Sequence, residues 1–185
     1  GSLLSGGLDW SITLIREETN IPVLLFPGSL MQVSSLADGI LFLSLISGRN
    51  PDLLIGNHVL SARMIKNSGL EVIPTGYILV NGGNVSSVEY ISNTRPIPLE
   101  KTEIISATAL AGELLGHRLI YLESGSGAST SIYSRVIRDV KKHVTLPLVV
   151  GGGLKTPQDV SRVCRAGADM VVVGNALEDD PSRLN

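Results

Sequence analysis

Residues 148–153 read Leu-Val-Val-Gly-Gly-Gly, and residues 171–175 read Val-Val-Val-Gly-Asn. In each stretch a short apolar run of the kind found in buried strands ends directly in glycine. Between the two stretches, Thr156-Pro157 predicts the start of a helix, with threonine as the N-cap and proline in the first turn. Strand, helix and strand in this order indicate a βαβ unit, in which the two strands are parallel.

The same alternation of strand and helix extends through the rest of the chain. In chain order, the expected strands are residues 23–26, 39–43, 71–80, 119–122, 148–150 and 170–173. The expected helices, from apolar residues three or four apart, are residues 8–15, 55–62, 104–114, 132–140 and 156–166. The pattern predicts an α/β fold with a parallel sheet and strands buried on both faces. Periodicity alone leaves open whether the sheet is doubly wound or a closed barrel.

Composition limits the classes of protein to which the chain can belong. Its 185 residues are 43% hydrophobic and 17% charged, which predicts one globular domain over residues 1–185. No apolar run reaches the ~18 residues that a membrane-spanning helix needs, so we expect a soluble protein. The net charge of −2 provides no long-range attraction for nucleic acid or anionic lipid. A single cysteine, Cys164, and no signal-peptide pattern favour the cytoplasm.

The two glycine-rich strand ends predict a site for an anion. At Gly152, Gly153 and Gly174, backbone N–H groups can approach a ligand without obstruction by a side chain. Helix N-termini behind such turns favour a phosphate. In many (β/α)8 barrels the phosphate lies after the seventh and eighth strands. The alternative is that these glycines only make tight turns.

A second candidate site lies in residues 121–128, which read Tyr-Leu-Glu-Ser-Gly-Ser-Gly-Ala. Glu123 comes at the carboxyl end of an expected strand, where barrel active sites lie. From there its carboxylate could orient or deprotonate a substrate hydroxyl. Alternatively, Glu123 is a solvated or salt-bridged loop residue, and Ser124, Ser126 and Ser129 cap the helix that follows.

The longest irregular stretch expected from the sequence is residues 81–98. Glycine and proline occur at both of its ends, in Asn81-Gly82-Gly83-Asn84 and Arg95-Pro96-Ile97-Pro98. A loop of this length in a compact domain is often a lid or an interface element. A tolerated surface insertion is an equally good interpretation.

With these motifs, the sequence resembles the geranylgeranylglyceryl phosphate synthases of archaea and their bacterial heptaprenylglyceryl phosphate relatives. The resemblance follows the family's order along nearly the whole chain, in residues 21–29, 37–44, 73–77, 121–128, 150–153 and 167–169. It implies a (β/α)8 barrel of the TIM type that joins sn-glycerol 1-phosphate to a prenyl diphosphate with magnesium. Residues 73–77 and 81–98 are more similar to the archaeal members, which favours a C20 donor, geranylgeranyl diphosphate.

The resemblance also implies roles for individual residues. It implies that the glycerol phosphate is bound by Tyr121, Leu122, Glu123, Ser124, Gly125, Ser126 and Gly127. Its phosphate is expected on Gly152, Gly153, Gly174 and Asn175. Tyr121 and Glu123 are the expected catalytic residues. Gly1-Ser2 is similar to the end of a family motif that helps to hold magnesium, so Ser2 is the expected metal ligand.

The family's pattern also extends beyond the segments that these residues match. The matching segments correspond to strands three to eight of the family's barrel. No counterpart is found for the first strand with its magnesium-binding aspartate, the first helix, most of the second strand and the last helix. Six strands leave an open edge, so we expect a chain of these residues alone to be poorly soluble or oligomeric and nearly inactive. An N-terminal extension of roughly 40–60 residues, on the scale of a ~250-residue barrel, is expected to give activity.

The sequence leaves two other functions open. One is a different phosphate-binding barrel enzyme, such as an isomerase or aldolase of sugar phosphates. The other is a non-catalytic module that binds phosphoglycerol. Oligomers are common in the family, which implies a homo-oligomer, and a peripheral contact with a membrane is compatible with a prenyl substrate. No nucleic acid partner is expected.

Overall fold

The structure is a computed structural model that describes residues 7–30 and 32–179. Its centre is a six-stranded sheet in which all strands are parallel and follow one another in chain order. The strands are β1 (Leu24–Leu25), β2 (Gly39–Leu45), β3 (Glu71–Leu79), β4 (Leu119–Glu123), β5 (Leu148–Gly151) and β6 (Met170–Val172). The expected strands are confirmed in number and order, and β3 is a single element.

Helices connect the strands. They are α1 (Leu8–Glu18), α2 (Asn57–Ser68), α3 (Ser87–Ser92), α4 (Thr102–Leu114), α5 (Ser134–His143), α6 (Pro157–Ala166) and α7 (Asn175–Asp179), with a π-helical turn at Asp52–Gly56 before α2. The result is a parallel sheet whose strands alternate with helices in chain order, consistent with the predicted (β/α)8 fold class. No helix in residues 7–30 and 32–179 is long and apolar enough to cross a membrane.

The two faces of the sheet form separate apolar clusters. Successive residues of a strand point to opposite faces. Ile78, Leu122 and Val150 are fully buried on the outer face, where helices cover the sheet. Tyr77 and Tyr121 belong to the cluster on the other face, here called the inner face. Tyr121 and Glu123, two residues apart, therefore both point to the inner face.

The predicted start of α6 is confirmed in detail. Thr156 is the N-cap, and its hydroxyl accepts the Asp159 N–H at 3.2 Å. The Asp159 carboxylate in turn accepts the Thr156 N–H at 3.1 Å, which completes a capping box. Gly167 ends the helix with φ at +117°, a conformation that glycine adopts without strain.

Helix α2 is present, but the prediction of which of its residues are buried is wrong. Ile55 and Val59 are 60% and 68% exposed, and Ala62 is exposed as well. Ser61 and Ile65 are the buried residues of this helix. Serine can be buried here because its hydroxyl donates to the Asn57 carbonyl at 2.8 Å, which satisfies the polar group.

Helix α4 shows the same difference. The predicted stripe of Ile104, Ala107, Ala111 and Leu114 is exposed, whereas the buried residues are Ile105, Ser106, Ala109 and Gly112. A Cβ at Gly112 would lie 2.9 Å from Ile46 Cδ1 and 3.1 Å from Ile120 Cδ1, so a larger residue would require these two side chains to shift. Small residues let α4 approach the sheet closely, and a pattern search for large apolar residues does not detect them.

Two further expectations need correction. The edge strands are not buried on both faces, because Leu24 in β1 is 47% exposed and Met170 in β6 is 44% exposed. Residues 81–98 are not wholly irregular either. They contain α3, and Ile97 forms a parallel bridge with Val80 at the end of β3.

Candidate active site at the carboxyl ends of β4 and β5

Glu123 is the last residue of β4 and is only 7% exposed. It lies in register with Leu79 of β3 and Gly151 of β5, so it is flanked by strands on both sides. Its Oε1 accepts the Gly125 N–H at 2.7 Å, and no cationic side chain among the described residues forms an ion pair with it. The interpretation of Glu123 as a solvated or salt-bridged loop residue is therefore wrong.

The surroundings of Glu123 make its carboxylate a stronger base. Burial raises the pKa of Glu123, and the Gly125 N–H, which stabilises the charged form, offsets part of that rise. Burial also raises the pKa of Tyr121, and the nearby charge of Glu123 raises it further, so this phenol keeps its proton. The buried Tyr121 hydroxyl lies beside the carboxylate, yet it makes no hydrogen bond of normal geometry with any described residue. The phenol and the carboxylate therefore form one buried polar pair, in which Tyr121 favours the charged form of Glu123.

Two aromatic rings hold Tyr121 in place on the inner face. Phe26 stacks on it with ring centroids 5.3 Å apart and planes 12° apart, and Tyr77 lies 5.2 Å from it. Tyr77 is also buried, and burial raises its pKa. The sequence suggests that residues 26–29 line a pocket and includes them in the segment 21–29 that carries the family resemblance, but it does not place Phe26 beside Tyr121.

The turn after β5 requires glycine because it touches Glu123. A Cβ at Gly152, where φ is +81°, would lie 2.5 Å from Glu123 Oε1 and 2.8 Å from the Gly125 nitrogen. At Gly151 a Cβ would collide with the Tyr121 hydroxyl and lie 2.7 Å from Glu123 Oε2. Gly153 has φ at +65° and faces the Ser131 backbone. Absent side chains therefore create the space that the carboxylate occupies.

The turn after β6 reaches the same loop by different contacts. Asn175 Oδ1 accepts the Ser126 hydroxyl at 2.8 Å and the Gly127 N–H at 3.1 Å. These bonds join the loop after β4 to the start of α7. Gly174, next to Asn175, is exposed, and nothing lies within 4 Å of the position of a Cβ. The structure thus brings the predicted residues 123–127, 152–153 and 174–175 to one edge of the sheet.

Two predicted residues do not contribute side chains to this edge. The Leu122 side chain is fully buried on the outer face among helices, so the structure does not bring it to the site. Ser2, the expected metal ligand, lies outside the described residues.

The serines after β4 do not cap helix α5. The Ser124 hydroxyl donates to the Gly151 carbonyl at 3.3 Å, and Tyr133 is the N-cap of α5. The alternative interpretation, in which Ser124, Ser126 and Ser129 cap the helix that follows, is therefore wrong.

Residues 82–86 cover the loop after β4, a contact that the sequence did not indicate. The Gly82 carbonyl accepts the Thr130 N–H at 3.1 Å and the Ser129 hydroxyl at 3.0 Å. A Cβ at Gly82 would lie 2.6 Å from the Ala128 Cβ. The only available signal was the Gly-Gly pair in the long segment 81–98.

The described residues do not fit a magnesium site by themselves. Within residues 7–30 and 32–179, no group of three or more His, Cys, Asp or Glu side chains lies together so that it could hold a metal ion. Glu123 is held by Gly125 and surrounded by aromatic rings, which does not resemble the multiple oxygen ligands of a hard dication.

Comparison with known proteins identifies the relatives of this chain. A protein named geranylgeranylglyceryl phosphate synthase from Chitinophaga pinensis is 50% identical over 185 residues, which are 73% of its length. One of the same name from Pyrococcus abyssi is 42% identical over 175 residues, which are 95% of this chain and 69% of that protein.

Solved structures agree with this relationship. The crystal structure of (S)-3-O-geranylgeranylglyceryl phosphate synthase from Thermoplasma acidophilum, in complex with sn-glycerol-1-phosphate, matches with a TM-score of 0.90 and 33% identity. The match covers 96% of this chain and 72% of that one. A tryptophan synthase α-subunit from Pyrococcus furiosus, 16% identical with a TM-score of 0.52, shares the fold alone. The model of the PcrB family matches residues 1–185, and the chain belongs to that family.

Proposed function

We propose that the protein is a prenyltransferase that joins sn-glycerol 1-phosphate to geranylgeranyl diphosphate. The observation that carries this proposal is a buried carboxylate without an ion pair, Glu123, at the sheet edge where two glycine turns meet. The support from relatives is that a protein 50% identical over 185 residues bears the name of this enzyme. A relative of known structure holds sn-glycerol-1-phosphate.

In this proposal the glycine turns bind the phosphate of the acceptor. Gly153 and Gly174 have backbone N–H groups that no side chain of their own obstructs. Ser126 and Asn175, which hydrogen-bond to each other, hold the loops at a fixed separation. The glycerol carbons then extend from these turns toward Glu123 and Tyr121.

Glu123 and Tyr121 act on the hydroxyl that reacts. The C3 hydroxyl oxygen of the acceptor forms a bond to C1 of the prenyl donor, and the bond from C1 to the diphosphate breaks, with the electron pair leaving on the diphosphate. Glu123 accepts the hydroxyl proton, for which the raised pKa suits it. The Tyr121 hydroxyl, which lies beside the Glu123 carboxylate, donates to an oxygen of the acceptor and orients it.

Magnesium dependence is a separate proposal that rests on the family resemblance. Such an ion would stabilise charge on the departing diphosphate. The described residues do not supply its ligands, so no step above depends on it. Turnover in excess EDTA, with and without added magnesium, tests the requirement directly.

We also propose a cytoplasmic homo-oligomer. The single Cys164 is consistent with a reducing compartment. Exposed apolar side chains on helices, such as Leu60 at 74% and Leu114 at 79%, are consistent with association. Light scattering of the purified protein measures the mass that tests the oligomer.

The proposed activity is tested with labelled geranylgeranyl diphosphate and sn-glycerol 1-phosphate, followed by extraction of the ether product. We expect product with this acceptor and far less with sn-glycerol 3-phosphate. A protein that binds glycerol 1-phosphate in calorimetry but forms no product under any metal condition would be a binding module instead.

A further inference from the structure

A second polar cleft, of about 570 Å³, lies between the residues that follow β2 and those that follow α3. Arg49 from the first segment and Arg95 from the second both line it. Ser47, Asn50 and Ser92 also line the cleft, and no acidic side chain does. Its lining shares no residue with the site around Glu123, so it is a separate feature that the function proposed above does not explain.

The positive charge of this cleft is not neutralised by the protein. Among the described residues, neither Arg49 nor Arg95 forms an ion pair. Arg49 donates to the Gly48 carbonyl at 2.7 Å, which leaves most of its N–H groups available. Two guanidinium groups in one cleft create a local positive potential in a protein whose net charge is −2. Guanidinium is the side-chain group that best matches phosphate oxygens in geometry.

Two hydroxyl groups add donors to the same cleft. Ser92 is 2% exposed, and its Oγ has no hydrogen-bond partner in the described part of the chain. Buried hydroxyls are nearly always paired, so this one suggests a ligand that supplies an acceptor. The Ser47 hydroxyl accepts the Leu79 N–H at 2.9 Å, which leaves its own proton to donate. Arginine and serine donors without an acidic neighbour suit an anion rather than a cation.

The walls of the cleft are fixed before any ligand binds. Asn50 Nδ2 donates to the Ser92 carbonyl at 2.9 Å and so joins the two segments. A Cβ at Gly48 would lie 2.7 Å from Thr94 Oγ1, which shows how closely the segments approach. Two residues after Arg95, the Ile97 N–H donates to the Leu79 carbonyl at 3.0 Å. A preformed site loses less entropy on binding.

The cleft lies at the same edge of the sheet as Glu123. Ser47 is bonded to Leu79, and Leu79 is in register with Glu123 on the next strand. With neighbouring strands about 4.8 Å apart, Ser47 is roughly 10 Å from Glu123 along this edge. A charged group in the cleft would therefore be close to a reaction at Glu123 without occupying the acceptor site.

From these observations we infer that the cleft between Arg49 and Arg95 binds a diphosphate group. The binding of a diphosphate group does not depend on the proposed function, but the identity of the molecule that carries it does. That molecule is either the prenyl donor, through its diphosphate end, or the free diphosphate that the reaction releases. Both sources present the same oxygens to the two guanidinium groups and to the Ser47 and Ser92 hydroxyls.

The test is calorimetric titration of the protein with inorganic pyrophosphate, which requires no turnover. The double variant Arg49→Gln/Arg95→Gln is expected to bind at least tenfold more weakly than the wild type. The matched control is Arg63→Gln/Arg138→Gln, which removes the same charge from exposed positions on α2 and α5 and is expected to bind within twofold of the wild type. Equal affinities in the two double variants, or no binding by the wild type, would overturn the inference.

Kinetics with the same variants identifies the source of the diphosphate. A KM for geranylgeranyl diphosphate that rises tenfold, with an unchanged KM for glycerol 1-phosphate, assigns the cleft to the donor. An unchanged donor KM with weaker inhibition by pyrophosphate assigns it to the product. If pyrophosphate binding depends on Arg49 and Arg95 but the wild type makes no ether product, the inference of a diphosphate site is supported and the proposed function is wrong.

Discussion

The glycine turns after β5 and β6 look alike in sequence but differ in what requires the glycine. At Gly152, φ is +81° and a Cβ would lie 2.5 Å from Glu123 Oε1. Gly174 has no left-handed φ, and nothing lies within 4 Å of its Cβ position. The first glycine is needed by the protein itself, because it makes space for the carboxylate. The second leaves open space at the edge where the proposed acceptor phosphate binds.

This difference shows that a glycine at a strand end can be required for two separate reasons. One is backbone conformation and close packing, which substitution reveals as lost stability. The other is access for a ligand, which substitution reveals as lost affinity in a stable protein. Variants at the two turns and at Glu123 can therefore separate shape from binding.

The largest loss of turnover is expected from Glu123→Gln. This variant changes the carboxylate that occupies the space left by the glycine at Gly152. The amide keeps the size of the side chain but cannot accept the substrate proton, so turnover should fall by about 10²-fold or more. Affinity for glycerol 1-phosphate, from calorimetry, should change little. Glu100→Gln, at an exposed position, is the matched control. Near wild-type turnover of Glu123→Gln would show that the base lies elsewhere.

Gly152→Ala is expected to reduce stability and activity together. A side chain in this left-handed conformation costs on the order of 1–3 kcal/mol, and the contacts with Glu123 and the Gly125 nitrogen add to that. Urea denaturation should show the lost free energy of unfolding. Turnover should also fall, because Glu123 must move. A variant as stable as the wild type would contradict the packing explanation.

Gly174→Val is expected to give the opposite combination. The open space around Gly174 accommodates the side chain, so the free energy of unfolding should stay within about 0.5 kcal/mol. The valine should obstruct the phosphate, and affinity for glycerol 1-phosphate should fall at least tenfold, about 1.4 kcal/mol. Unchanged affinity in this stable variant would remove the turn after β6 from the site.

The smallest effect is a dependence of stability on pH that comes from Glu123. Because burial raises its pKa in the folded protein, the folded state holds a proton that the unfolded state has lost above about pH 4.5, the ordinary value. Stability from this group is thus present below that value and is lost as pH rises through the raised pKa. Free energies of unfolding measured across this range should fall more steeply with rising pH in the wild type than in Glu123→Gln. Parallel curves would contradict the assigned environment.

Most of the fold could be predicted because the strands are continuous apolar runs. The sequence 148–153 shows both the strand and the turn that ends it, and Thr156-Pro157 marks the next helix. The buried faces of α2 and α4 could not be predicted in this way. There, Ser61 is buried because its hydroxyl is hydrogen-bonded within the helix, and Gly112 is buried because it is small, and apolar periodicity detects neither property.

The site was predictable where its residues end strands and not where they come from distant segments. Glu123 and the glycine turns follow apolar runs, so their common edge follows from the parallel sheet. Phe26, near the start of the chain, stacks on Tyr121, and Gly82 contacts the loop after β4. These residues are brought together by tertiary packing, which no local sequence pattern predicts.

A crystal structure of the protein with sn-glycerol 1-phosphate tests most directly whether the glycine turns and Glu123 act on one ligand. We expect the phosphate against the Gly153 and Gly174 N–H groups, and the C3 hydroxyl about 2.6–3.2 Å from the Glu123 carboxylate. A phosphate bound between Arg49 and Arg95, or a glycerol chain that points away from Glu123, would contradict this account.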